Sequence, residues 1–186
     1  MNRAAYVLIA GVAATAACSD GDPVATLPLY DVAPAMGVAA NGGNNAAVPL
    51  SGGEEVPARE TRARGAAVFH LDDAGSTLTY RLIASNITNV VASHIHIGPA
   101  GENGPVGVFL FGPAPAGGGR TDGVLAEGSL TPGDFVGPLA GLGMDDLIDH
   151  MVTGNAYVNV HTNDGVDPID TGPGDFPGGE IRGQIR

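Results

Sequence analysis

The chain has 186 residues, 44% hydrophobic and 15% charged, with 30 glycines and 14 prolines. That suits one domain with a real core and excludes a disordered polyelectrolyte or two ordinary domains. All eight basic residues are arginine, against 20 acidic ones, and the formal charge of −12 repels phosphate backbones and anionic headgroups, so no nucleic acid partner is expected.

In chain order, residues 1–17 read as a signal peptide: Arg3 supplies the positive region, an apolar stretch follows from Ala4, and small residues precede Cys18. The apolar stretch is too short for a stable transmembrane span. "TAAC" resembles a lipobox, with Thr15 where leucine is usual, so Cys18, the sole cysteine, is expected to be the lipidated first residue of the mature chain. Plain cleavage after Ala16 or Ala17 is the alternative. These features predict export to a bacterial cell envelope, as an outer-membrane lipoprotein or otherwise a periplasmic or secreted protein, touching the membrane through the lipid anchor only. Residues 18–46 carry Pro23, Pro28, Pro34 and the run Asn41 to Asn45 without periodicity, which predicts a flexible tether. Residues 47–186 are left as the folded domain.

Within that domain short apolar runs alternate with turn signals. Strands are predicted at 47–52, 66–71, 77–85, 90–97, 106–111, 123–130, 156–162 and 179–186, with "DDAGS" joining the second and third as a hairpin. One helix interrupts them. In "GMDDLIDHMVTG", Met144, Leu147, Ile148 and Met151 fall on one stripe, Asp145 and Asp146 suit the positive N-terminal end, and Gly154 ends it. "TPGD" at 131–134 predicts a shorter helical turn capped by Thr131. The expectation is an all-β Greek-key sandwich of two sheets, with the helix in a late crossover.

Three motifs then point to a family: "SHIHIGPAGENGPVGVFLF", "GNAYVNVHT" and "GGEIRGQIR". Together they resemble the CHRD domain, named from the developmental protein chordin and found also in microbial secreted proteins. The resemblance spans 47–186, with an acidic insertion at 163–178. It implies an extracellular, immunoglobulin-like β-sandwich and no established catalytic activity; the leading expectation is a binding or structural module with a protein or polysaccharide ligand.

His94 and His96 are two apart on a strand and leave it on one face, roughly 6.5 Å apart at Cα, close enough to share a metal ion. Tyr157, Asn159 and His161 alternate in the same way on a second strand. If the two strands are neighbours, His94, His96 and His161 form a site for copper or zinc, with dismutase-like redox chemistry as a further option that is geometric analogy alone. The alternative is structural: the histidines bond loop carbonyls and one another, Asn103, Tyr157 and Asn159 support the same turns, and Glu180 accepts from a histidine. His70 is expected in solvent and His150 in a surface pair with Asp146 or Asp149. The insertion, with Asp164, Asp167, Asp170 and Asp175, is either a calcium site or a solvated loop. No catalytic residue is assigned. There is no G-x-S-x-G, and Glu54 and Glu55, adjacent in sequence, make a poor acid pair.

Overall fold

In the computed structural model, residues 44–186 are described; the stretch read as a signal peptide, Cys18 and the expected tether up to residue 43 lie outside them, while Asn45 and Ala46, assigned to that tether, open the first strand. The strands are β1 (Asn45–Ser51), β2 (Arg64–Leu71), β3 (Leu78–Thr88), β4 (Val90–Ile97), β5 (Val106–Phe111), β6 (Arg120–Leu130), β7 (Ala156–Thr162) and β8 (Ile181–Ile185). One helix, α1 (Met144–Val152), lies between β6 and β7. It buries Met144, Leu147, Ile148 and Met151 as the stripe requires, and the Asp146 carboxylate accepts the Gly143 N–H at 2.8 Å at its start. At Thr131 the expected cap is present, closed by Asp134 across a 3-10 turn at Pro132–Asp134.

All neighbouring strands are antiparallel, in the order β5-β4-β7-β8-β1-β2-β3-β6. The domain is thus all-β with one short helix, but hydrogen bonding links the strands into one sheet where two Greek-key sheets were expected. The reason lies at the β8–β1 junction. β1 pairs with β2 along its whole length yet meets β8 only at Ser51↔Arg182, so the sheet bends there without breaking. Gly183 permits the bend: a Cβ at that position would run into the Pro49 carbonyl and the Val48 side chain. The two halves then enclose one apolar core that includes Val48, Leu50, Phe69, Leu78, Leu82, Ile95, Val108, Val158, Val160 and Ile181. At the far ends the Tyr80 hydroxyl donates to the Leu110 carbonyl at 2.6 Å, drawing β5 towards the β3–β6 edge and nearly closing the sheet into a barrel.

Alternation decides which side chains enter this core. Ile95 and Ile97 of β4, and Ala156, Val158 and Val160 of β7, point inwards and are buried, so the odd-numbered and even-numbered partners between them must point out. β3 breaks the period once. Asn86 takes a positive φ of 53° at a register shift between Ala84 and Ile87, and both of those residues, three apart, stay buried.

Candidate metal centre

The outer face of β4, β7 and β8 carries His94, His96, Tyr157, Asn159, His161, Arg182 and Gln184. An outer face normally meets water, but here Asn159 is 2% exposed and Arg182 1%. Loops at 98–105, 52–63 and 172–179 roof it over, and the bonds that hold them come from the polar residues beneath. Arg182 donates to the carbonyls of Glu102 (2.9 Å) and Pro99 (3.1 Å), to Asn103 Oδ1 (3.4 Å) and to Gln184 Oε1 (3.2 Å), while its guanidinium lies 3.4 Å from the Tyr157 ring centroid. Glu180, fully buried, takes hydrogen bonds from Thr61 and Thr162 hydroxyls (2.6 and 2.8 Å) and from the Gly174 N–H (2.8 Å). Its partners are therefore threonines and backbone, not the histidine expected from the sequence.

The antiparallel register brings the histidines together. His94 stands opposite Asn159, His96 opposite Tyr157, and His161 opposite Ala92, one diagonal step from His94. The three side chains each offer a donor atom within 4.8 Å of the other two, the one such group of His, Cys, Asp or Glu among the described residues. Ring centroids are 5.3 Å apart for His94 and His96, 4.8 Å for His94 and His161, and 5.9 Å for His96 and His161.

Two tautomers are set from outside the cluster. His96 Nδ1 lies 2.8 Å from the Gly104 carbonyl and His161 Nδ1 2.8 Å from the Pro177 carbonyl. A carbonyl only accepts, so each Nδ1 carries the proton and each Nε2 keeps its lone pair. His94 Nδ1 sits 3.0 Å from His161 Nε2 and donates to it. Gly104 must be glycine, since a Cβ there would overlap the Ile97 carbonyl; its N–H donates to the Tyr157 hydroxyl at 3.0 Å, and Tyr157 stacks on His96 at 4.9 Å.

Burial keeps the rings neutral. It pushes His94 down to about 4, with the neighbouring His161 and His96 adding to the effect. His161 is lowered by burial against the opposing pull of the Pro177 carbonyl. His96 is lowered by burial and by the Arg182 charge, while the Gly104 carbonyl pulls the other way. Neutral imidazole is the form that ligates metals. The cluster is not sealed: His161 is half-buried, and the ring of Phe109, 48% exposed on β5, meets His94 edge-on at 4.7 Å.

Other expectations resolve differently. Asn103 bridges loops, donating to the Val56 carbonyl at 2.7 Å and accepting from Arg182, where a bond to the histidine turns was expected. His70 is exposed beside Asn45, as alternation required, but His150 pairs with Asn155 at 2.9 Å and not with the aspartates. The acidic insertion does not gather: Asp170 pairs with Arg59 at 3.1 Å, Asp164 accepts the Val166 N–H, and Asp175 accepts from Thr171. Glu55, a poor acid pair with its neighbour Glu54 by sequence, is nonetheless a buried carboxyl. It follows a 3-10 turn at Gly52–Glu54, is 5% exposed, and burial raises its pKa to about 7 against the pull of Arg182 and Arg59.

A nearly closed antiparallel sheet with one short helix, a roofed polar layer and a three-histidine cluster on its outer face defines the class, an all-β domain. A family model for the CHRD domain matches residues 46–168, more than half of the sequence, and the chain belongs to that family. No curated protein and no solved structure matches it.

Proposed function

We propose that this CHRD domain is a binding module whose ligand is a copper or zinc ion held by His94, His96 and His161. The observation that carries this reading is the pair of carbonyl bonds, Gly104 to His96 and Pro177 to His161, which commit both Nδ1 atoms and leave both Nε2 lone pairs for the cluster. Once the His94 proton moves from Nδ1 to Nε2, its Nδ1 and His161 Nε2, 3.0 Å apart, are spaced for two nitrogens sharing an ion at about 2.0 to 2.1 Å from each. Three neutral nitrogen donors suit copper or zinc over calcium or magnesium. Added copper or zinc should raise the melting temperature of the full chain, and His94→Ala, His96→Ala and His161→Ala should each abolish that rise. A purified protein free of metal, with no shift on addition, would leave the histidines as a brace for their loops.

A second reading, a module for a protein or polysaccharide ligand, is favoured by Val166 and Ile169, which the insertion holds 63% and 52% exposed. Export and acylation at Cys18 complete the proposal, supported by the n-region, apolar stretch and "TAAC" of residues 1–18. Fatty-acid labelling should mark the wild type and not Cys18→Ser.

A further inference from the structure

We propose that Asn159 is the fourth donor to the ion, its side-chain oxygen closing the site from the floor of the sheet. The inference rests on the metal reading above and adds a ligand that a search for histidines alone leaves out. Asn159 lies opposite His94 in register and between Tyr157 and His161 on the same face of β7, so the three imidazoles stand around a short side chain. It is 2% exposed.

Among the described residues, Asn159 Oδ1 and His96 Nε2 are both buried without a hydrogen-bond partner. Both are acceptors. A buried acceptor left bare costs about 1 to 3 kcal/mol, and a cation beside both would satisfy them together. His161 Nε2 supplies a third lone pair in the same space, occupied by the His94 Nδ1 proton while no ion is bound. When His94 moves that proton to its own Nε2, its Nδ1 becomes a donor with no change in net charge. Three nitrogens and one oxygen then complete a four-donor set without a carboxylate or a solvent molecule. Such a closed site holds its ion and keeps no open position for a substrate.

The test uses the full chain and zinc alone. Affinity is measured by competition with a chromophoric chelator for the wild type, Asn159→Ala and Asn159→Asp, with His96→Ala as reference. Expected are a roughly tenfold loss for Asn159→Ala and a roughly tenfold gain for Asn159→Asp, whose carboxylate brings a charge to the same place. In the wild type, the side-chain amide resonances of Asn159 should shift on zinc addition, a readout that does not depend on whether either variant folds. If wild type binds zinc and Asn159→Ala binds as tightly or more tightly, or the amide resonances stay put, the fourth-donor assignment is overturned while the three-histidine site stands. If wild type and His96→Ala both fail to bind zinc, the zinc reading itself fails and takes this inference with it.

Discussion

Two stretches of the same sheet, the outer face of β4–β7–β8 and the outer face of β2–β3–β6, follow the same alternation and end in opposite environments. On the second, Arg81 and Glu127 pair at 3.7 Å with side chains 57% and 67% exposed, Val68 is 39% exposed, and His70 is in solvent. On the first, Arg182, Asn159 and Tyr157 are almost wholly buried under loops. A strand's period thus states which residues share a face, while the loops decide whether that face is wet. The same residue type then has a different physical meaning: Arg81 is a screened surface charge, and Arg182 is the tie that holds the 98–105 loop down.

The sharpest way to break the comparison is to remove one arginine from each face. Arg182→Leu strands the carbonyls of Pro99 and Glu102 and should cost about 3 kcal/mol or more in denaturant unfolding, whereas Arg81→Leu should stay within about 0.5 kcal/mol. Equal effects would mean that the roofed layer is no more constrained than the open one.

A smaller effect should come from Glu55. Its folded pKa is raised to about 7 from 4.5, so the folded state holds a proton that the unfolded chain has released. The stability tied to this group is full below about 4.5 and is lost as pH rises through 7. Glu55→Gln should therefore be about 1 to 2 kcal/mol more stable than wild type at pH 8 and indistinguishable from it at pH 4. Thermal melts across that range read the difference directly.

His94 should act in the opposite sense and more weakly, being nearer the open rim. Its folded pKa is lowered to about 4 from 6.5, so its contribution is full above 6.5 and is lost as pH falls towards 4. In chelator-treated protein, His94→Gln should flatten the acid side of the stability profile by about 1 kcal/mol. An unchanged acid limb would show that the ring is better solvated than its burial suggests.

Much of this was legible from local pattern. The β4, β5 and β7 spans were readable to the residue because β-branched runs end at glycine and asparagine turns. The α1 stripe was readable from spacing, and the histidine cluster from two strands alternating in the same sense. What local pattern does not carry is contact across the chain. Glu180 reaches Thr61, 119 residues away, and Arg182 reaches Glu102 across 80, and neither link leaves a trace in nearby sequence. The single curled sheet was hidden for the same reason, since it turns on one register pair between Ser51 and Arg182. The run of β3 past Asn86 was hidden too: the expected strand stops at residue 85, and the bulge that carries it on to Thr88 shows only in the register with β6.

The position of β8 sets an order of assembly. It is the last strand along the chain, yet it lies between β7 and β1 in the middle of the sheet. Everything up to residue 180 yields two incomplete pieces, β5–β4–β7 and β1–β2–β3–β6, each with an open edge and a half-covered core. Residues 181–185 are the keystone that joins them, and Ile181 and Ile185 bring the apolar side chains that seal the seam. Such long-range closure makes for slow folding. Without that one short segment, β7 would lose its partner on one side and β1 its single register pair with β8.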